Sequence, residues 1–171
     1  VTIELKRCRE ADVDVLVAIS VDTFVEAFGD QNTPENIEIY IQQSLTRDVL
    51  LAELRMAGSE FYLLVADSAV AGYLKINTGV AQSEAMGDAA LEVERIYALA
   101  AFKGQGLGAL MMNRAVAIAK ERGLDTVWLG VWEHNDPARG FYRHLGFEQF
   151  GEHSFMLGTD PQTDLLMKLG I

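Results

Sequence analysis

The chain has 171 residues, half of them apolar and 23% charged, a composition that can bury a core without staples. Its 14 lysines and arginines stand against 25 aspartates and glutamates, a formal net charge of −11. That balance counts against nucleic acid and anionic membrane as partners, and the single cysteine, Cys8, allows neither an intrachain disulfide nor a cysteine-rich zinc site. A reducing, cytoplasmic setting is expected. A cationic small substrate or a basic peptide is favoured by long-range steering, with a plain solubility adaptation as the alternative. The longest apolar run, Ile96 to Phe102, is far short of a membrane span, and the alternating start, Val1 to Glu10, lacks a signal-peptide pattern.

No repeat or linker divides the chain, so residues 1–171 read as one domain. Thr2 to Arg7 reads as a strand and Asp12 to Phe28 as an amphipathic helix. Pro34 opens a second helix, and Asp48 to Met56 continues as helix up to Gly58. Phe61 to Asp67 and Val70 to Asn77, parted by Ser68 and Ala69, read as a hairpin. Thr78 to Asp88 is small, polar and loop-like. Leu91 to Leu99 is the next strand, and a glycine-rich turn leads into a helix ending at Arg122 before Gly123. Thr126 to Val131 is a strand. Asp136 reads as the cap of a short helix with Pro137 at its first position. Phe147 to Leu157 and Leu165 to Leu169 close the chain as strands. Only Leu91 to Val131 forms a full strand–helix–strand crossover, so a mixed sheet is expected.

The strongest chemical signal is Lys103-Gly104-Gln105-Gly106-Leu107-Gly108-Ala109, between a strand and a helix. Glycines let the backbone turn tightly and approach a ligand, and the helix start carries unpaired N–H groups and partial positive charge. Together these suit a phosphate or pyrophosphate; a tight turn without a ligand is the bland alternative. Gly108 is followed by Ala109 and Leu110 rather than by Lys and Ser or Thr, which excludes a Walker loop. Gly104, Gly106 and Ala109 satisfy the Rossmann spacing. Against that reading stand the turn's late position, the intervening Ala98 to Phe102, and an acidic residue (Glu121 or Asp125) that precedes the next strand.

Glu94-Arg95-Ile96-Tyr97-Ala98 followed by Lys103 to Gly108 closely resembles the acetyl-CoA-binding motif of the GNAT superfamily of N-acetyltransferases. Lys103 departs from that motif's Gln or Arg but keeps a long polar side chain. Asn135-Asp136-Pro137-Ala138-Arg139-Gly140-Phe141-Tyr142, then Leu145-Gly146-Phe147, resembles the family's second cofactor-side motif. Trp128 to Glu133, His153-Ser154-Phe155, Gly158, Gln162-Thr163-Asp164 and the Thr23 to Gly29 stretch are similar to the PaiA-type polyamine acetyltransferases. The resemblance implies an α/β fold with a mixed, largely antiparallel central sheet flanked by helices on both faces. It implies acetyl-CoA as cosubstrate and acetyl transfer to a primary amine, here a polyamine.

The same resemblance implies roles. The backbone of Ile96, Tyr97 and Ala98 would pair with the pantetheine arm. The N–H groups of Gly104, Gln105, Gly106, Leu107, Gly108 and Ala109, after Lys103, would hold the pyrophosphate. Asn135 would hydrogen-bond the cofactor, and Tyr142 would protonate the departing thiolate. The attacking amine, with a reference pKa of about 10.4, must lose a proton. Glu92 and Glu94 share a strand face by the two-residue period, and the family's frequent base position falls on Glu92. Solvated or ion-paired carboxylates, with Arg95 as a partner, are the alternative. Glu26, Tyr40 and Glu133 are weaker candidates for gripping a cationic acceptor. Trp128 and Trp132 share a face and read as core or as a cation-stacking pair. His134, His144 and His153 show no metal spacing, so no metal is assigned. No Gly-x-Ser-x-Gly elbow is present, and Cys8 reads as an unreactive thiol. An amino acid, an aminoglycoside or a protein amino terminus remain alternative acceptors, a non-catalytic acyl-CoA-binding module is an alternative of another class, and a homodimer is compatible with the sequence.

Overall fold

Seven strands assemble into one sheet in the order β1-β2-β3-β4-β5-β7-β6, in a computed structural model that describes residues 2–171. Val1, the first residue of the alternating start, lies outside the described residues. The strands are β1 (Ile3–Arg7), β2 (Ser59–Ala66), β3 (Ala69–Thr78), β4 (Ala90–Ala98), β5 (Thr126–Trp132), β6 (Glu148–Leu157) and β7 (Asp160–Gly170). The helices are α1 (Val13–Phe28), α2 (Pro34–Ser44), α3 (Arg47–Arg55), α4 (Leu107–Glu121) and α5 (Asp136–His144). Only β4 and β5 run parallel, joined by the α4 crossover; every other neighbouring pair is antiparallel. No helix is long and apolar enough among the described residues to cross a membrane.

Alternation along the strands sends side chains to two cores. On one face Leu74, Leu91 and Leu129 meet Met111 and Ala115 of α4 and Tyr142 of α5. On the other, Phe61, Leu63 and Tyr73 pack under Leu16 of α1 and Leu50 of α3. Further along that face, Phe24, Phe28 and Ile37 of α1 and α2 cover Trp132 and Leu157. Full burial of a side chain such as Leu16 or Leu50 contributes about 1.5–3 kcal/mol.

Several boundaries differ from the sequence reading. The first hairpin turns on Asp67 and Ser68, both at positive φ (49° and 68°), rather than on Ser68 and Ala69. Two left-handed residues give the hairpin turn whose twist matches that of paired strands. The second and third helices are separate, because Thr46 caps α3 by accepting the Val49 N–H at 3.3 Å. Asp136 is the first residue of α5 and not its cap. Asn135 holds that place, its Oδ1 accepting the Ala138 N–H at 3.3 Å, and Pro137 follows one position later in the first turn. Both residue types cap well, so spacing alone does not choose between them. The last strand begins at Asp160, five residues before the expected Leu165, because Asp160 to Asp164 continue the antiparallel pairing with β6.

Two irregularities position the site. Lys75 lies opposite Arg95 and Ile76 opposite Val93, so Glu94 is an extra residue, a β-bulge on β4. The bulge breaks the two-residue period: Arg95 joins Glu92 and Glu94 on their face, pairs with Glu94 and reaches Glu53 of α3. Beyond it the alternation resumes, with Ile96 and Ala98 on the α4 side and Tyr97 on the α1 side. The second irregularity is a split. β4 and β5 pair only from Ala90↔Thr126 to Val93↔Leu129, after which the strands part. The stretch from Glu94 to Ala98 keeps β3 on one edge and no strand on the other.

Candidate active site

The glycine turn opens α4. Gly104 and Gly106 have φ of +82° and +70°, and a Cβ on either would meet nothing within 4 Å. Glycine is therefore needed there for the backbone angle, while the surface in front of it stays open. Among the described residues none of the N–H groups from Gly104 to Ala109 has a protein partner; the first bond of α4 runs from Leu110 N–H to Gly106 O at 3.0 Å. Six unpaired donors at a helix start leave hydrogen-bonding capacity that an anion could use. Lys103 stands exposed beside them.

The split between β4 and β5 opens a cavity of about 110 Å³, lined by Val93, Ile96, Gly130, Asn135, Ala138 and Tyr142 among others. Tyr142 is 7% exposed and packs edge-on to Phe147. Its hydroxyl has no hydrogen-bond partner among the described residues, and burial alone pushes its pKa well above the usual phenol value. The phenol thus stays protonated through neutral pH. Asn135 lies on the same cavity with Oδ1 committed to its helix cap, which leaves its amide N–H₂ free.

On the other side of the sheet lies a larger cavity of about 250 Å³. Both cavities are lined by Phe28, Glu94, Tyr97, Gly130 and Trp132, so they meet at the split. The larger one is also lined by Glu92, Arg95, Tyr40, His153 and Asp164. The ring of Tyr40 stacks on Phe24 with centroids 4.3 Å apart, and burial raises its pKa. The indole N–H of Trp132 is buried without a partner among the described residues.

The carboxylates of this cavity differ in character. Glu94 sits between Lys75 Nζ (3.0 Å) and Arg95 (3.3 Å), and also accepts from Asn77 Nδ2 at 2.8 Å. Burial pushes it up, but the two cations and the hydrogen bonds outweigh burial and hold it below the usual carboxylate range. Glu92 is 2% exposed and has no cation against it. It accepts from Asn77 Nδ2 at 2.9 Å, from Ser83 N–H at 2.8 Å and from the Ser83 hydroxyl. Burial wins there over these bonds and raises its pKa. Asp164 is raised as well, by burial, against the pull of His153. A raised carboxyl pKa is what a proton acceptor working near neutral pH needs.

The remaining expected residues divide. Glu26 does not reach the cavity; its Oε1 accepts the Ala100 N–H at 2.9 Å and ties α1 to the segment before the glycine turn. Glu133 also faces away, 3.4 Å from His134 Nε2. Trp128 is fully buried and donates to Gln82 Oε1 at 2.7 Å, whereas Trp132 packs on Phe28 at the cavity wall. Cys8 is buried, and its thiol is pushed up to about 12, chiefly by burial. Sequence reasoning assigned no role at the site to Ser83, His153 or Asp164. The loop holding Ser83 gave only small polar residues as a signal, Asp164 appeared only inside a likeness to relatives, and His153 appeared there and among histidines without metal spacing.

The sequence pattern described as the acetyltransferase (GNAT) family matches residues 17–147. The chain belongs to the GNAT acetyltransferase family. It is an acetyl-CoA-dependent N-acetyltransferase. It is 40% identical over 166 residues to an uncharacterized N-acetyltransferase in the pepI 3′ region of Lactobacillus delbrueckii subsp. lactis, covering 97% of this chain and 96% of the relative. It is 21% identical over 151 residues to a spermidine N(1)-acetyltransferase of Thermoplasma acidophilum, covering 86% and 89% of the two chains. In fold it is similar to the PaiA N-acetyltransferase of Thermoplasma acidophilum solved in complex with coenzyme A, with a TM-score of 0.82, 20% identity and full coverage of both chains. The mixed sheet with one parallel pair and helices on both faces is the GNAT fold expected from the sequence.

Proposed function

We propose that this GNAT enzyme acetylates a primary amine of a cationic acceptor of polyamine type. The observation that carries the reading is the meeting of two cavities at the β4–β5 split, with an unpartnered phenol on one side and an acid-rich wall on the other. The pyrophosphate of acetyl-CoA lies on the N–H groups of residues 104–109, and the pantetheine arm runs along the free edge of Ile96, Tyr97 and Ala98. The thioester then reaches the split beside Tyr142, with Asn135 as a further hydrogen-bonding group. The ammonium of the acceptor enters the larger cavity, where Glu94 remains an anion and Glu92 takes one proton.

The neutral nitrogen attacks the thioester carbon, a C–N bond forms, and the C–S bond breaks. Tyr142 gives its proton to the leaving thiolate and regains one from the nitrogen as the amide forms. Holding amine and thioester together removes much of the entropic barrier, and N–H groups on the β4 edge stabilise the oxyanion. The spermidine-acetylating relative and the net charge of −11 support a polycationic acceptor.

The test is a panel of spermidine, spermine, a neutral-bodied amine, an amino acid, an aminoglycoside and a peptide amino terminus, assayed with acetyl-CoA at low and high salt. Spermidine or spermine should show the largest kcat/KM, falling as salt shortens the reach of the field to about 10 Å at 0.1 M. A peptide, amino acid or neutral amine that wins at both salts refutes the polyamine acceptor. CoA binding without transfer to any amine refutes catalysis on amines altogether.

A further inference from the structure

Glu92 is itself buried: it is 2% exposed, and its oxygens are held by Asn77 and by the exposed Ser83. A base so placed that has taken a proton must return it to solvent before the next turnover, and it adjoins the cavity on one side and the exposed Ser83 on the other. Across that cavity stands a group of side chains for which the acetyl transfer itself gives no role. His153 on β6 lies between two carboxylates, with Nε2 at 3.3 Å from Asp164 Oδ2 and Nδ1 at 2.7 Å from Glu84 Oε1. Asp164 and His153 line the cavity, while Glu84 lies outside its wall with its side chain 38% exposed.

The fold builds this arrangement from distant parts. His153 and Asp164 face each other across the β6–β7 pairing, and Glu84 comes from the loop between β3 and β4, 69 residues before His153. The loop is pinned by three consecutive residues. Gln82 accepts from Trp128 of β5, Ser83 donates to Glu92 of β4, and Glu84 meets His153 of β6. Gly130 of β5 supplies the space: a Cβ there would lie 3.3 Å from Asp164 Oδ2, tight enough to displace the carboxylate. Asp164 consequently rests over Gly130, which lines both cavities, at the place where acceptor and thioester meet.

We infer that Asp164, His153 and Glu84 form a proton outlet leading from the acceptor cavity to solvent. The inference rests on the proposed reading of the larger cavity as the acceptor site. Protonated Glu92 gives its proton through cavity water to the Asp164 carboxylate, and a cavity of about 250 Å³ with polar walls has room for such water. The Asp164 O–H then transfers its proton to His153 Nε2. The imidazolium releases its Nδ1 proton to Glu84, and Glu84 loses it to water. The ring, left with hydrogen on Nε2, returns to the starting tautomer by exchange with solvent. No bond other than O–H and N–H forms or breaks, and the proton released equals the one the acceptor's ammonium lost. Histidine suits the middle position because its two nitrogens take and give protons on opposite sides of one ring. The charged and titratable groups facing His153 are Glu84 from the loop and Asp164 from β7, with Glu92, Glu94, Arg95 and Tyr97 of β4, Tyr73 of β3 and Tyr40 of α2 lining the same cavity.

The experiment compares wild type with His153→Ala and Glu84→Gln, using acetyl-CoA and spermidine, by rapid quench for the first turnover and by thiol release at steady state. Each reaction is run with and without added imidazole at fixed pH. In both variants the first turnover should stay within about twofold of wild type while steady-state kcat falls about tenfold or more. Imidazole, filling the space left in His153→Ala, should restore the steady-state rate and leave wild type unchanged. A loss shared equally by both phases and untouched by imidazole marks a role in binding or folding and overturns the outlet, as does an unchanged kcat. If His153→Ala does not fold, Glu84→Gln decides: its side chain is half-exposed, and a wild-type kcat in it overturns the outlet. A wild type that acetylates no amine overturns the reading of the cavity and the outlet with it, whereas an active wild type with unaffected variants overturns the outlet alone.

Discussion

Tyr142→Phe isolates one oxygen atom. The ring packs beside Phe141 and Phe147, with centroids 5.5 and 5.8 Å away, and these contacts survive the change. The hydroxyl has no protein partner among the described residues, so its removal breaks no hydrogen bond and leaves no buried group unsatisfied. Stability should therefore change by less than about 0.5 kcal/mol, the size of an unremarkable substitution. A tyrosine kept for structure would instead cost about 1 kcal/mol or more, because a bonded hydroxyl would be lost. Catalysis should respond on another scale. Loss of a general acid slows the reaction by roughly 10²-fold or more, equivalent to about 2.7 kcal/mol of barrier. Because burial raises the phenol's pKa, wild type should show no loss of rate from Tyr142 ionisation through the mildly alkaline range. The assays are kcat by thiol release, CoA affinity by calorimetry, and the melting temperature. A variant with wild-type kcat refutes the acid assignment; one whose kcat falls only in step with CoA affinity or melting temperature refutes the separation of chemistry from packing.

Gly106→Val should weaken CoA binding by about tenfold or more, equivalent to at least about 1.4 kcal/mol, because the side chain enters the open space before the unpaired N–H groups. Its folding cost should stay near 1–2 kcal/mol, the strain of a non-glycine residue at φ +70°, since no atom lies within 4 Å of the new Cβ; unchanged affinity in calorimetric titration of the folded variant refutes the phosphate cradle. Glu92→Gln should lower kcat and remove the acidic limb of the pH–rate profile. In wild type the base works when ionised, so activity should rise with pH through a pKa that burial places above the ordinary carboxylate range; an acidic limb at the same pH in the Gln variant assigns it to another group.

Much of the candidate site was legible one segment at a time. The glycine turn, the Asn135 to Tyr142 helix and the expectation of one parallel crossover all follow from local periods and from residues with special backbone needs. Such signals are carried by neighbours in sequence, and local structure obeys them. The same logic placed Glu92 and Glu94 on one strand face, but a strict two-residue period gives no place on that face to Arg95, which the structure sets there. A bulge exists only in relation to the partner strand: the mismatch between β3 and β4 makes Glu94 the extra residue, and no count along β4 alone reveals it.

Tertiary structure decided everything that depends on elements meeting. Glu26, on an early helix that suggested acceptor binding, caps Ala100 across 74 residues. The loop after β3, legible only as small and polar, supplies Ser83 to Glu92 and Glu84 to His153. The cavity junction exists because β5 leaves β4 after Leu129, and Asp164 reaches it because residue 130 has no side chain in its way. The sequence by itself thus determined the periodic elements, the two motifs that resemble the family's cofactor-side ones and the surplus of negative charge, since each is read without knowing which distant residues meet. Which carboxylates are paired, which are buried and which line the larger cavity was decided by tertiary structure, because burial and pairing are set by groups that only the folded sheet brings together.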